Sequence, residues 1–379
     1  MLKLFVTGDV HIGKKYDRYP EIREKLIQSR FDALERAVLE AEKEGCAFFV
    51  VTGDLFDNVS AVRLEQVKQT VNILSLFSGR VLVLPGNHDY YTGEEKLWRD
   101  FDSALSRTDG SILLLREPRP CRFDTEDGSV SFYPAPCRSK HSKENALGWI
   151  KEAAPDDADF HIGIAHGALA GLTPDLKNEY FLMTERELLA IPMDLWLLGH
   201  THVPYPAAPG AGETLTGYRI FNPGTPAQTD LSNNTPGLCF SLTLMRENGV
   251  GRVEARAFQS GTLRFYDLAV EAGEDLEASL ASALRGLPGE SVLRLTVSGS
   301  VPEAIYADRR RLYDEALRPF LMWEVNDDAL CERITPEKIR AEFAEIGFAA
   351  AFLESLDDPR ELQMAYDLVK RHQRKEART

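Results

Sequence analysis

Five short motifs place metal-ligating residue types directly after apolar segments of the chain. The chain has eight histidines, and five of them lie in these motifs, which indicates a common site rather than scattered core histidines. Carboxylate, amide and imidazole groups together form a ligand set suited to two divalent ions. The motifs are Asp9-Val10-His11, Gly53-Asp54-Leu55-Phe56-Asp57, Gly86-Asn87-His88-Asp89, Ala165-His166-Gly167 and Gly199-His200-Thr201-His202.

Such a ligand set suits the hydrolysis of phosphate esters. A carboxylate can bridge two cations, because each oxygen can hold one of them and the negative charge offsets their repulsion. Two ions about 3.5–4 Å apart can clamp a phosphate ester and lower the pKa of bound water. The leaving oxygen then needs a proton or a charged partner. Asn87 offers a neutral oxygen ligand, and its neighbour His88 can point in another direction.

The segments that precede the motifs predict strands of an α/β fold. Residues 4–6, 48–51, 81–84, 162–164 and 195–198 are continuously apolar, as in strands that are covered on both faces. Amphipathic helical segments separate the first three. Because open α/β sheets bind ligands at the carboxyl ends of their strands, we expect the five motifs to form one site.

The remaining sequence predicts two smaller regions after the catalytic domain, which we place at residues 1–260. Residues 261–325 combine strand and helix patterns, typical of a small α+β domain near the lower end of domain size. Residues 326–379 are charged and predicted to be helical, with Pro336 after Thr335 as a helix start.

Composition and charge restrict the function classes. The chain is 44% hydrophobic and 27% charged, as in ordinary globular proteins, and its net charge is −15. This charge argues against a protein that coats nucleic acid through bulk electrostatics. It does not exclude a nuclease whose metal ions and local lysines face the phosphates.

The sequence also predicts a cytoplasmic protein. Its five cysteines are scattered without a CxxC pair, which fits a reducing compartment. The first residues enter a strand and the first motif at once, which leaves no room for a signal peptide. No apolar stretch approaches the roughly 20 residues of a membrane span.

In the order DxH, GDxxD, GNHD, isolated histidine and GHxH, the motifs resemble those of the calcineurin-like metallophosphoesterases. The resemblance implies a four-layer αββα β-sandwich with two divalent ions, both of them bound by Asp54 as the bridging ligand. It further implies that His88 stabilises the transition state or protonates the leaving oxygen, and that Asp57 and Asp89 orient histidines. The implied ligands are Asp9, His11, Asp54 and His202 for one ion, and Asp54, Asn87, His166 and His200 for the other.

The layout beyond the motifs resembles the SbcD-type DNA repair nucleases. The first motif lies almost at residue 1, and an α+β capping region and a helical tail follow the catalytic region. This resemblance implies Mn²⁺ as the ion, with Fe²⁺ or Zn²⁺ as alternatives, and DNA and an SbcC-type coiled-coil ABC ATPase as partners. A homodimer is left open. Asp57 stands where archaeal and eukaryotic relatives usually carry a histidine that assists catalysis, so the resemblance does not extend that role to this position.

Several residues near the motifs are candidates for substrate binding. Lys14, Lys15 and Arg18 follow the first motif and could contact DNA phosphates, although a solvated loop is equally compatible with them. Tyr90 and Tyr91 follow the third motif and could stack on a base, or pack within the protein.

Three functions therefore compete. The first is a manganese-dependent DNA exonuclease or endonuclease that works with the ATPase in double-strand-break repair. The second is a phosphodiesterase or phosphatase for small nucleotides or other phosphate esters, which the net charge of −15 favours. The third is a scaffold whose metals only hold the fold, and the intact His88 argues against it.

Overall fold

The apolar segments that precede the five motifs all form β-strands in the structure, a computed structural model that describes residues 1–172, 177–210, 213–247, 250–343 and 348–376. The chain divides into two units, Met1–Phe265 and Tyr266–Thr379. Two β-sheets form the centre of the first unit, and a smaller sheet forms the centre of the second.

The first sheet of the first unit has seven strands, four of them parallel. Strands β1 to β4 pair in parallel, and β11, β12 and β9 add antiparallel strands beyond β1. In pairing order the strands are β4 (Ile112–Leu114), β3 (Arg80–Val83), β2 (Phe48–Val51), β1 (Leu2–Thr7), β11 (Leu238–Glu247), β12 (Val250–Gln259) and β9 (Leu215–Thr216).

The second sheet has five strands, and only its β5–β6 pair is antiparallel. In pairing order its strands are β10 (Ile220–Phe221), β8 (Leu195–Gly199), β7 (Phe160–His166), β6 (Gly128–Ala135) and β5 (Cys121–Thr125). The helices of this unit are α1 (Arg23–Lys43), α2 (Leu64–Leu74), α3 (Lys96–Leu105), α4 (Gly148–Glu152) and α5 (Glu185–Ala190), with a 3₁₀ turn at Pro20–Ile22.

Alternate residues of the strands enter different layers of the core. Leu4 and Val6 of β1 lie in the core between the two sheets, whereas Phe5 packs with α1, α2 and α3 on the outer face. On the other side, Trp196 and Leu198 of β8 pack with α4 and α5. Side chains on successive strand positions point to opposite faces, so each sheet packs against the other sheet on one face and against helices on the other. The predicted four-layer αββα sandwich is therefore confirmed.

The second unit has a three-stranded sheet with two helices packed against it. The strands pair in the order β13 (Arg264–Ala272), β14 (Ser291–Val301) and β15 (Met322–Glu332), and β14 and β15 are parallel. Their apolar side chains pack with those of α6 (Leu276–Leu284) and α7 (Glu303–Leu317) in one core.

Within the described residues three helices follow β15, and they share a small core of their own. They are α8 (Pro336–Glu342), α9 (Phe348–Glu354) and α10 (Pro359–Glu376). The Thr335 side chain accepts a hydrogen bond from the Lys338 amide, with Pro336 at the first helical position, as predicted. The predicted start of the helical segment at residue 326 is wrong, because β15 continues to Glu332. This strand lies at the edge of its sheet and carries exposed polar residues, so it lacks the apolar pattern of a covered strand.

Among the described residues, no helix is both long enough and apolar enough to cross a membrane.

Candidate metal centre

The five motifs lie together at one edge of the sandwich. Strands β1, β2 and β3 are parallel, and so are β7 and β8, so that their carboxyl ends carry the motifs. This edge gathers ligands from both sheets. Those that follow the first sheet are Asp9, His11, Asp54 and Asn87, and those that end or follow the second are His166, His200 and His202.

The backbone of the site is held in an unusual conformation. Asp9, His11, Asp54 and His200 have positive φ angles of 51°, 50°, 50° and 99°. Such residues cost about 1–3 kcal/mol each and persist where the surrounding structure determines them. Here the amides of Asp9 and His11 donate to the carbonyls of Gly53 and Asp54, both at 3.0 Å. These bonds fix the first motif against the second.

Two glycines are required by close approach. A Cβ on Gly53, whose φ is +110°, would lie 2.2 Å from His166 Nδ1. A Cβ on Gly86 would lie 2.3 Å from Asp54 Oδ1. Any side chain at either position would displace a candidate ligand, which explains why glycine opens both motifs.

The first group of ligand atoms contains two imidazoles and two carboxylates. His11 Nε2 lies 3.0 Å from His202 Nε2, and Asp9 Oδ1 lies 3.5 Å from His202 Nε2. Asp54 Oδ2 lies 3.8 Å from His11 Nε2. Atoms that share an ion at about 2.0–2.2 Å stand about 3–3.6 Å apart. The contacts of His202 with His11 and Asp9 lie in this range, and the contact of Asp54 with His11 is slightly longer.

The second group shares Asp54 with the first. Asp54 Oδ2 lies 3.4 Å from His166 Nε2. Asn87 Oδ1 lies 2.9 Å from His166 Nε2 and 3.0 Å from His200 Nδ1. The Asn87 amide is oriented because its Nδ2 donates to the Lys140 carbonyl at 3.3 Å. Both groups thus contain the residues expected from the sequence.

The hydrogen bonds of His166 test whether these atoms fit a cation. Its Nδ1 lies 2.9 Å from the Thr52 carbonyl, which can only accept, so this nitrogen carries a proton. In the neutral ring the Nε2 lone pair then faces the oxygens of Asp54 and Asn87. The Nε2 lone pair and the oxygens of Asp54 and Asn87 thus converge on one point, where only a proton or a cation can offset their negative charge. The residues therefore fit two divalent cations.

The pKa values of the buried groups are shifted by burial and by the charges of neighbouring candidate ligands. Burial lowers the pKa of His166, but the charge of Asp54 outweighs it and raises this pKa to about 9. In turn, burial raises the pKa of Asp54, but the charge of His166 holds it well below its usual range. Burial lowers the pKa of His11 and of His200 to about 4. A proton on His166 thus provides part of the positive charge that an ion would supply.

His88 lies beside both groups and lines a cleft above them. Its amide donates to Asp54 Oδ1 at 2.8 Å, and its Nδ1 lies 3.0 Å from the Asp57 carbonyl. Because that carbonyl accepts, Nδ1 carries a proton and Nε2 is the atom that can exchange one with a substrate. The Asp57 carboxylate lies 3.2 Å from His11 Nδ1, a position suited to orienting that ring.

Asp89 makes contacts that differ from those expected. Its carboxylate accepts hydrogen bonds from the backbone amides of Gly86 and Phe56, at 2.6 and 3.0 Å, and these bonds tie the second and third motifs together. No histidine is among its described hydrogen-bond partners, so the expectation that Asp89 orients a histidine is not met. Burial, with the charge of Asp54, raises its pKa to about 7.

The cleft above the two groups has a volume of about 540 Å³. Lys14 and Tyr180 line it, together with the polar segment from Thr229 to Thr235. The Tyr180 ring lies 5.0 Å from the His200 ring. Asn233 Nδ2 donates to the His202 carbonyl at 3.0 Å. Sequence reasoning pointed to Lys14 but missed Tyr180 and the segment from Thr229 to Thr235, because neither belongs to a motif or follows a buried strand.

The predicted substrate-binding residues differ in whether they line the cleft. Lys14 lines the cleft, whereas Lys15 and Arg18 are exposed and are not among the described lining residues. Tyr90 and Tyr91 are half-buried and do not line it either. The Tyr91 ring lies 5.6 Å from the guanidinium groups of both Arg116 and Arg138, and it packs against the helix-side core. These contacts favour the packing interpretation of Tyr91.

The chain is similar to known phosphoesterases. A sequence profile of the calcineurin-like phosphoesterase family matches residues 2–204. The uncharacterized metallophosphoesterase YhaO of Bacillus subtilis (strain 168) is 27% identical over 203 residues, which are 52% of this chain and 47% of YhaO. The chain thus aligns with about half the length of this relative.

Two solved structures are similar at low identity. The calcineurin-like phosphoesterase YfkN from Bacillus subtilis is 16% identical with a TM-score of 0.40, over 68% of this chain and 90% of that chain. A dimetal phosphatase from Danio rerio is 12% identical with a TM-score of 0.36, over 69% and 99%.

The profile match covers more than half of the chain and contains all five motifs, ending just after His202. Phosphoester hydrolysis is the chemistry implied by this family and by the two ligand groups. The chain belongs to the calcineurin-like phosphoesterase family.

Proposed function

We propose that the protein is a two-metal phosphodiesterase that cleaves DNA, an exonuclease or endonuclease of the SbcD type that acts in double-strand-break repair. The observation that carries this proposal is the lining of the cleft. Pockets for small molecules are mostly apolar and enclose their ligand. The side chains that line this cleft carry charged, imidazole, hydroxyl or amide groups, with Val203 as the wholly apolar exception among the described residues. Such a lining suits a phosphate backbone.

In this mechanism each side chain has a defined task. Two bound divalent ions supply the charge that holds the phosphate and lower the pKa of a water molecule. Asp54 contacts both ligand groups and so keeps them at a fixed separation. His88, oriented by the Asp57 carbonyl, gives a proton from Nε2 to the leaving oxygen. Lys14 lines the cleft, and in this mechanism its ammonium contacts a neighbouring phosphate.

The test of DNA as substrate uses end-labelled linear duplexes and single strands with Mn²⁺. Wild-type protein is expected to degrade at least one of them. Hydrolysis of bis-p-nitrophenyl phosphate without any cleavage of DNA would overturn the DNA assignment and leave the phosphodiesterase chemistry intact.

Lys14 and Lys15 provide a matched pair of variants. Lys14→Ala should weaken DNA binding and reduce the slope of log affinity against log salt by about 1, as for one lost phosphate contact. Lys15→Ala, adjacent in sequence but outside the cleft, should leave the slope unchanged. Equal effects of the two variants would argue against DNA in the cleft.

The second candidate function is hydrolysis of small nucleotides or other phosphate esters. Asp230 favours it, because this carboxylate lines the cleft and would repel a second phosphate nearby. The net charge of −15 acts in the same direction. Asp230→Asn separates the two functions, since it should strengthen DNA binding if DNA is the substrate. Unchanged DNA binding, together with rapid turnover of a small diester, would select the second function.

Mn²⁺ is the ion that we assign to the site. The ligand set of carboxylates, one amide and imidazoles suits Mn²⁺, Fe²⁺ or Zn²⁺. Metal-free protein supplied with each ion in turn, under anaerobic conditions for Fe²⁺, should show its highest nuclease activity with Mn²⁺. Higher activity with either other ion would overturn this assignment.

The C-terminal helices dock a coiled-coil ABC ATPase of the SbcC type in this proposal. Phe348 of α9 is 87% exposed, and Met364 and Leu368 of α10 are 68% and 60% exposed. Exposed apolar side chains of this size on helices are typical of docking surfaces. Met364→Ser with Leu368→Ser should abolish co-purification with the ATPase, whereas Leu39→Ser, at an exposed position of α1, should not. Retention of the ATPase by the double variant would refute this docking surface.

A further inference from the structure

A buried arginine lies beneath the first motif. Arg30, on α1, is 1% exposed, and among the described residues no carboxylate forms an ion pair with it. A charged group buried without a counter-ion is unfavourable unless hydrogen bonds hold it. The contacts of Arg30 therefore indicate what its charge is used for.

Two of the three guanidinium nitrogens have partners in the loop of the first motif. Nη1 donates to the Val10 carbonyl at 2.5 Å, and Nε donates to the Tyr16 hydroxyl at 2.7 Å. The guanidinium carbon also lies 5.8 Å from the centre of the Tyr16 ring. Nη2 is buried and has no partner among the described atoms. Arg30 thus contacts the loop at two points, one on each side of His11.

Val10 separates the two ligands of the first motif. Asp9 and His11, on either side of it, both have the left-handed backbone conformation. The Asp9 carbonyl accepts from Thr225 Oγ1 at 2.9 Å, as the Val10 carbonyl accepts from Arg30. Each of these two carbonyls is therefore held by one side chain, and the N–H of the Val10–His11 peptide group also donates to the Asp54 carbonyl at 3.0 Å. If the Val10 peptide rotated, the directions of the neighbouring carboxylate and imidazole would change.

We propose that Arg30 is a positioning residue of the metal centre. It fixes the Val10 carbonyl and thereby sets the directions in which Asp9 and His11 present their ligand atoms. Its contact with Tyr16 extends this effect to the cleft, since Lys14 Nζ lies 5.9 Å from the centre of the same ring. This inference rests on the metal centre assigned above.

The experiment measures Mn²⁺ binding to metal-free protein by titration calorimetry, with thermal unfolding of the same samples. Arg30→Met removes the charge and the donors but keeps an unbranched apolar chain, and Arg30→Lys keeps the charge with a single donor group. The control is Leu34→Ala, one turn further along α1 and fully buried. Leu34 belongs to the same apolar core as Val10, so this variant lowers stability through lost packing but removes no hydrogen bond to the loop.

Arg30→Met should weaken Mn²⁺ binding by about 10–100-fold, as is usual when a residue that orients ligands is lost. Arg30→Lys should fall between Arg30→Met and wild type, and Leu34→Ala should bind as wild type despite its lower unfolding temperature. Wild-type affinity in Arg30→Met would overturn the inference, as would equal weakening in Leu34→Ala. If Arg30→Met does not fold, wild-type affinity in Arg30→Lys overturns it instead. Wild-type protein that binds no Mn²⁺ would overturn the metal centre itself.

Discussion

Replacement of Asp54 by asparagine should remove both metal ions while leaving the fold in place. Asp54 approaches ligands of both groups, at 3.8 Å from His11 Nε2 and 3.4 Å from His166 Nε2. Asparagine has the same shape, and its carbonyl oxygen can still accept the hydrogen bond from the His88 amide. The change therefore removes a charge rather than a packing element.

The size of the effect follows from the position of this charge. Two unit charges 4 Å apart interact by about 4 kcal/mol at an effective dielectric constant of 20, and a coordinated divalent ion lies closer and carries twice the charge. The loss of about 4 kcal/mol per ion corresponds to about 1,000-fold weaker binding of each. Titration calorimetry should thus detect two Mn²⁺ ions in the wild type and none at micromolar concentrations in Asp54→Asn.

Asp89→Asn is the matched control for this experiment. Asp89 is as buried as Asp54, with 0% against 1% exposure, but its carboxylate binds the backbone amides of Gly86 and Phe56. An asparagine can accept only one of these bonds, so this variant should lose about 1–3 kcal/mol of unfolding free energy and still bind two ions. If Asp54→Asn bound two ions at wild-type affinity, or Asp89→Asn lost them to the same extent, the assignment of Asp54 as the shared ligand would be refuted.

Three further predictions follow from the geometry of the site. His88→Ala should lower kcat by about 10²–10⁴-fold, as for a lost general acid, with unchanged Mn²⁺ affinity by calorimetry, and an unchanged kcat would exclude its proton transfer. Gly53→Ala should destabilise the protein by about 1–3 kcal/mol in urea unfolding, because its Cβ would collide with His166 Nδ1. Gly45→Ala is the control, since Gly45 also has a positive φ but has open space where a Cβ would lie. It should lower the unfolding free energy by less, and equal losses in the two variants would contradict this explanation. The pKa of His166 is raised to about 9 from an ordinary 6.5. The protonated ring therefore stabilises the metal-free protein fully below pH 6.5, and this stabilisation is lost as the pH rises through 9. Mn²⁺ binding at pH 7.5 should therefore release a proton, measurable by calorimetry in buffers of different ionisation enthalpy, and a heat independent of the buffer would contradict it.

The sequence was most informative where a metal-ligating residue directly follows a continuously apolar strand. The strands before Asp9, Asp54 and Asn87 could be predicted because they are covered on both faces and are therefore continuously apolar. The strands and a single site at their carboxyl ends could therefore be anticipated from residue types, whereas the four-layer sandwich and the division of the ligands into two groups followed from the resemblance to the calcineurin-like metallophosphoesterases.

Features that depend on distant contacts could not be anticipated. Tyr180 and Asn233 reach the site from segments that carry no motif, and Arg30 appears in the sequence as one more charged residue of an amphipathic helix. Strand β15 was missed beyond residue 326 because its outer positions are polar, as expected at the edge of a sheet. In each case the residue type is explained by a neighbour that only the tertiary structure brings close.

The ligand groups have a consequence for how the sandwich holds together. The first group combines Asp9, His11 and Asp54 from the first sheet with His202 from the second, and the second group likewise draws on both sheets. An ion in either position therefore links the two layers at the end of their common core. Because Asp9 and Asp54 are buried and negatively charged, the metal-free protein retains an uncompensated charge at this junction, which the proton on His166 only partly offsets. Metal binding and the packing of the two sheets thus stabilise one another, since each requires the other to bring the same side chains together.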